Sequence, residues 1–337
     1  MKWLSILLCL FLLTLMLLFP AASTAAAQDA VGLWLTRVLP ALFPYYVAAS
    51  LLTAGGLFTS LSRRCRWAAF PLCFLLGAVS GYPVGARLAC LAGREDWSAC
   101  CNLSSPAFLT GVIAVGMLGD ARFAAPLALA HYGAALLSAL LDRLLLPRGR
   151  DRDAGAAAVP EISLPAAIGE GMLAMLKIGG CILFFSVCSG LLQEALHMRA
   201  GLPAAILTGL LEITAGSNAM ASLPLPPRLL CAGLAAMVSL GGLSVLIQAR
   251  SVSPGLRILP YVIAKLFQAS AAFLIAFFAA PLLCREACEV FSSRGAELLD
   301  NASALAALLL AAGAGMSFSY LFALVTKAAR SRIGAGR

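Results

Sequence analysis

The chain alternates long apolar runs with short polar ones. The runs fall at about 3–19, 31–59, 67–93, 98–118, 123–146, 168–193, 202–223, 229–249, 258–283 and 301–326. Each is close to the ~20 residues that a helix needs to cross hydrocarbon, so the pattern predicts on the order of ten membrane elements. The first run, Trp3 to Phe19, follows Lys2 and precedes AASTAAAQDA. That outline is shared with signal peptides, but the apolar stretch exceeds their usual ~7–15 residues. An uncleaved first helix is the expectation.

Two runs are unlike the others. Residues 67–93 carry Gly77, Gly81, Pro83, Gly85 and the charged Arg87. Residues 202–223 carry Gly209, Glu212 and Gly216 and end in LPLPPR. Glycine and proline interrupt helices, and charge at membrane depth is costly. Such segments are tolerated as re-entrant or unwound elements lining a polar cavity.

Loop charges bear on this reading. If every run spans, starting with Lys2 inside, Arg148, Arg150 and Arg152 fall outside, against the enrichment of Lys and Arg in cytoplasmic loops. If 67–93 and 202–223 each enter and leave on one side, those arginines move inside. They join Arg63, Arg64, Arg66, Arg94, Arg250, Arg257 and the tail residues Lys327, Arg330, Arg332 and Arg337. Arg122, Arg199, Arg228, Arg285 and Arg294 remain in outer loops. The expected fold is therefore an all-α polytopic membrane protein of two inverted-topology repeats, 31–146 and 166–283. Each contains a re-entrant or broken helical hairpin. A polar cytoplasmic linker (147–165) joins them, the N-terminal helix (1–30) is peripheral, and residues 284–337 form an outer loop, a C-terminal helix and a basic tail. Secondary transporters commonly have this arrangement, with a central site made from broken helices.

Composition agrees with the pattern. Of the 337 residues, 61% are hydrophobic and 12% charged, against roughly 25% charged in soluble domains. The net charge of +9 reads as topology, not as nucleic-acid affinity, because the basic residues sit in short loops. Most of the eleven cysteines lie in apolar runs, where Cys acts as a small hydrophobe. No CxxC occurs and there are only two histidines, His131 and His197, so neither a structural zinc nor another cofactor is expected. Whether Cys284 and Cys288 pair is left open.

Four polar clusters lie inside the apolar blocks. Ser80, Gly81, Tyr82, Pro83, Gly85 and Arg87 form the first; a kinked helix with a snorkelling arginine is its simpler explanation. Asn102, Ser104, Ser105 and Pro106 form the second, as cap or as ligands. Glu212, Thr214 and Gly216 form the third, with Glu212 free to bind a proton, a cation or a neighbouring base. Gly241, Gly242, Gln248 and Lys265, followed by Gln268, form the fourth; Lys265 lies within a span, where a charge faces a cavity or a partner. His131, with no acid nearby in sequence, reads as a packed or interface histidine. No nucleophile–base–acid arrangement surrounds the serines, so an enzyme is not expected. Two central cations, Arg87 and Lys265, against one acid, Glu212, favour an anionic solute by a single charge.

The strings VLPALFPYYVAASLL, SGYPVGAR, NLSSPAFLTGVIAVGMLGD, GLLEITAG and LGGLSVLIQ resemble the YlbJ family of sporulation integral membrane proteins, also called stage V sporulation protein V. That family is grouped with nucleoside-recognition, Gate-type membrane domains. The resemblance spans roughly residues 30–283. Arg87 stands where the family pattern leads one to expect Lys, and Cys100–Cys101 stand where a polar stretch is more usual. It implies a carrier moving dipicolinate, a planar dianion, across the outer forespore membrane. In that reading Arg87 and Lys265 hold carboxylates, Asn102 and Ser104 hydrogen-bond them, and Glu212 carries a proton. A nucleoside or another metabolite is the alternative cargo, and a non-transporting scaffold of the spore envelope the alternative role. A homo-oligomer or sporulation membrane partners are compatible with either.

Overall fold

The computed structural model describes residues 2–54, 69–145 and 162–283. The linker core, the C-terminal helix and tail, Cys284, Cys288 and the basic loop Arg63–Arg66 lie outside these residues. Every regular element among the described residues is helical, as expected where lipid offers the backbone no hydrogen-bond partner. Five helices there are long and apolar enough to cross a membrane: Pro20–Leu51, Ala121–Asp142, Leu164–Ala195, Pro227–Val252 and Ile258–Leu282.

Helix α1 covers Lys2–Leu18 and α2 covers Pro20–Leu33. A π-helical turn, Trp34–Val38, leads directly into α3, Leu39–Ala54. The AASTAAAQDA stretch is thus not a loop between two runs. It opens the second long helix, because alanine has the highest helix propensity and Pro20 suits a first helical position.

Helix α4 (Ala69–Ser80) and α5 (Val84–Leu91) form a hairpin about Gly81, Tyr82 and Pro83. The reversal is visible in Gly77 and Gly85. A Cβ on Gly77 would come 3.0 Å from the Gly85 Cα, whereas residues eight apart in a straight helix are separated by about 12 Å. Gly81 holds a φ of +77° at the tip, a conformation open to glycine at little cost. The next helix is interrupted. Helix α6 (Ser98–Cys101) gives way to non-helical residues 102–105, then to a π-helical segment, Phe108–Met117. Helix α7 (Ala124–Leu145) completes the first half.

The second half repeats this order. Helix α8 (Leu164–Ala195) is followed by α9 (Leu202–Leu211) and α10 (Ile213–Ala221), which reverse about Glu212. A Cβ on Gly216 would strike the backbone of Gly209, so these two arms also meet through glycines. Helix α11 (Pro227–Leu240) and α12 (Gly242–Val252) are separated at Gly241, whose φ is +84°. Helix α13 (Ile258–Leu283) ends the described chain.

The leading helices of the two halves lie antiparallel. Gly171 faces Phe43 and Val47, Gly179 faces Trp34, and Gly190 faces Ala26. Trp34 Nε1 also donates to the Met175 carbonyl at 3.1 Å. Small residues at these crossings let the backbones approach closely, as helix packing in lipid favours. The main core joins Val112, Ile113, Leu127 and Ala134 to Leu234, Val238, Ala272 and Ala276. A second cluster, including Cys73, Cys101, Leu103 and Ala135, seats the first hairpin. Large side chains such as Leu17, Leu173, Phe184 and Leu259 point outward, the inverse of a soluble surface.

Candidate functional site

Both hairpin tips and both helix interruptions converge on one cavity of about 60 Å³. Room for a water takes ~10–15 Å³, so this space admits on the order of four waters. The first half contributes Ser80, Gly81, Tyr82, Ser104 and Ser105; the second contributes Glu212, Thr214, Ser244 and Gln248. Val38, Leu42, Tyr45 and Tyr46 of the first long helix and Met175 and Ile178 of α8 close its sides. Ser80 Oγ and Ser244 Oγ are buried without a protein hydrogen-bond partner. Glu212 is 4% exposed and caps α10, its Oε2 accepting from Ala215 N at 2.7 Å.

The cavity wall is non-helical at Ser104 and Ser105, so the backbone groups freed there and at the neighbouring Asn102 need other partners. Helices α7 and α13 supply them. His131 Nε2 accepts from Ser104 N at 3.0 Å, and Tyr132 Oη donates to Ser104 O at 2.9 Å. Since a backbone N–H can only donate, Nε2 is the unprotonated nitrogen. Nδ1 then carries the proton and donates to Ser239 Oγ, 2.9 Å away on α11. On α13, Lys265 Nζ donates to Asn102 O at 2.8 Å and to Gln268 Oε1 at 3.1 Å. Gln268 Nε2 donates to Ala99 O at 3.0 Å. Asn102 Nδ2 donates to Tyr261 Oη at 2.9 Å. Tyr261, Lys265 and Gln268 are spaced four and three residues apart, hence on one face of α13. The Lys265 ammonium also lies 5.7 Å from the Tyr82 ring centroid and 5.8 Å from that of Tyr261. Tyr82 Oη donates to Val238 O at 2.8 Å, a carbonyl in the last turn of α11 where intrahelical donors run out.

Comparison with known proteins finds the sporulation integral membrane protein YlbJ of Bacillus subtilis (strain 168). Identity is 23% over a 320-residue alignment that takes in 77% of this chain and 78% of the relative. The chain is a homologue of YlbJ. No family model matches it, and no solved structure does. With its apolar spanning helices, this YlbJ homologue is a multi-pass integral membrane protein.

Of the sequence-selected residues, Ser80, Gly81, Tyr82, Ser104, Ser105, Glu212, Thr214 and Gln248 line the cavity. The others sit around it. Asn102 and Lys265 are buried behind the wall. Gly85 lets hairpin one lie against the Cys101 carbonyl, and Gly242 lies against the backbone of Gly209 and Leu210. Pro83 and Gly241 turn the chain, Pro106 follows the non-helical stretch, and Gly216 joins the hairpin arms. Arg87 is exposed on α5, one turn past the tip. Three residues outside the sequence-selected set prove integral to the site. His131 gave no signal because its partners are backbone and a serine 108 positions away. Ser244 sits within SLGGLSVLIQ, beside the chosen glycines. Arg37 was hidden in an otherwise apolar run; its Nη1 donates to Asn218 Oδ1 at 2.7 Å.

Proposed function

We propose that this homologue of YlbJ is a carrier for a small organic anion, with dipicolinate as the cargo. The observation that carries the reading is the meeting of two broken hairpins and two interrupted helices at a cavity whose Ser80 and Ser244 hydroxyls have no protein partner. Unpartnered buried hydroxyls cost stability unless something else satisfies them. A solute in the cavity offers these two hydroxyls a partner. The shared element order and the antiparallel leading helices support an inverted-repeat architecture, in which one bundle rocks against the other around a fixed site. Ser80, Ser104, Ser105, Thr214 and Gln248 hydrogen-bond the solute, and Glu212 carries a proton. Asn102 and Lys265 hold the wall in shape and lend positive potential from behind it, while Arg87 meets the anion on α5.

A nucleoside is the second reading. It is favoured by the lining itself, which contains one carboxylate, Glu212, and no lysine, arginine or histidine. Counterflow in proteoliposomes separates the two, using labelled dipicolinate and labelled uridine. Dipicolinate flux is expected, with KM raised several-fold in the Ser80→Ala, Ser244→Ala double variant. The thermal midpoint of that variant should hold or rise, because it removes two orphaned hydroxyls. Uridine flux alone would transfer the carrier to the other cargo. Absence of both fluxes from folded protein would end the carrier reading.

A further inference from the structure

Arg37 lies half-buried in the π-helical turn between α2 and α3. Its hydrogen-bond partner is a neutral amide oxygen, Asn218 Oδ1, and among the described residues no carboxylate pairs with it. A guanidinium offers five N–H donors, so a single amide oxygen leaves most of its capacity unused. A charge at this depth is expected to face a cavity or an anion. Both partners adjoin the cavity. Val38, the next residue after Arg37, lines it, and so does Thr214, which shares a face of α10 with Asn218 one turn further from the tip. The arginine stem passes over Gly116, where even an added Cβ would remain 3.9 Å from Arg37 Cβ and Cδ. Gly116 thus sets no side chain against the arginine stem. Single π turns occur often at functional sites.

We propose that Arg37 is a carboxylate-binding residue of the solute path, in addition to Arg87. A carboxylate of the incoming solute displaces the Asn218 amide from the guanidinium. The exchange is favourable because a carboxylate takes two parallel N–H···O bonds and brings an opposite charge, where the amide oxygen takes one bond and brings none. The same event unlinks the first long helix from the second hairpin, so solute binding and release of this contact are one step. This inference rests on the carrier reading and deepens it. It supplies the cation that the cavity lining lacks, and it assigns the solute to the planar carboxylates.

The test is counterflow of labelled dipicolinate in proteoliposomes, with competition by unlabelled dipicolinate and by its neutral isostere, pyridine-2,6-dicarboxamide. Wild type should prefer the dianion at least tenfold. Arg37→Gln should raise KM for dipicolinate at least tenfold and abolish that preference, and Arg37→Lys, keeping charge but losing the fork, should fall between. The variants at Asn218 should move in opposite directions: Asn218→Ala lowers KM by freeing the guanidinium, and Asn218→Asp raises it by installing an internal competitor. Thermal midpoints in detergent establish that each variant is folded. Equal losses in Arg37→Gln and Asn218→Ala would overturn the proposal in favour of a purely structural latch. So would dipicolinate flux indifferent to Arg37→Gln, with the carrier reading left standing. No flux of either solute from folded wild type would remove the carrier reading and this inference together.

Discussion

Pro281 lies inside α13 and has no N–H to give the carbonyl four residues earlier. That carbonyl belongs to Phe277, and Arg228 Nε donates to it at 2.9 Å, with the guanidinium 3.7 Å from the Phe277 ring centroid. The same logic applies at the cavity wall. Asn102 O, freed because the helix stops there, accepts from Lys265 Nζ. Two cationic side chains thus satisfy carbonyls that the helices leave without a donor. Arg228→Leu should cost about 1–3 kcal/mol, the penalty of an orphaned buried acceptor. In a Pro281→Leu background, where the helix supplies its own donor, the loss should shrink, and a double-mutant cycle on thermal midpoints reads the difference. Equal losses in both backgrounds would disconnect the arginine from the proline. Lys265 was legible in the sequence as a charge inside an apolar run. Its partners were not, because Asn102 lies 163 positions away.

At the scale of elements, glycine placement shapes both hairpins and side-chain caps hold the interrupted helix. Gly216→Ala would push a methyl into the Gly209 backbone. Overpacking of this kind costs about 1–3 kcal/mol, and here it would also spread the arms that carry Glu212 and Thr214 to the cavity. Loss of solute counterflow at temperatures where the protein remains folded is the expected result. His131→Phe keeps an aromatic ring, slightly larger, but removes the acceptor for Ser104 N and the donor to Ser239. It should lower stability by about 1–3 kcal/mol and slow transport. An unchanged thermal midpoint would mean that Ser104 N finds another partner. The two irregular runs, their glycines and Glu212 were readable as breaks, since helix-breaking residues and charge coincide there. The non-helical stretch 102–105 was not, because its backbone depends on partners arriving from α7 and α13.

For the whole molecule, the register of the leading helices is the quantity to check. The antiparallel crossing brings Ala26 beside Gly190, and Phe43 and Val47 beside Gly171. In a background without native cysteines, Ala26→Cys paired with Gly190→Cys should cross-link, since a Cβ on Gly190 would lie 2.9 Å from Ala26 Cβ and a small separation of the helices brings the pair to the ~3.5–4.5 Å of a disulfide. Ala26→Cys paired with Gly171→Cys should not cross-link. The reverse result would make the two halves parallel. A reporter fused at residue 150 is expected on the cytoplasmic side, which the loop charges require.

The apolar runs, their lengths and the loop arginines determined by themselves that this is a helical membrane protein with two irregular segments, because burying helices in lipid leaves its mark on composition. They also marked Ser80, Ser104, Glu212 and Gln248, since polar groups in such runs need a reason to be there. Which of the selected residues face a common cavity, and which hold its wall, was decided only by the tertiary structure. Lys265 and Gln248 look alike as polar residues in apolar helices, yet one is spent on a broken backbone and the other reaches the cavity. Arg37 and His131 entered the site through partners 181 and 27 positions away. Hydrogen bonds of that range leave no local pattern, for they are set by how the helices cross.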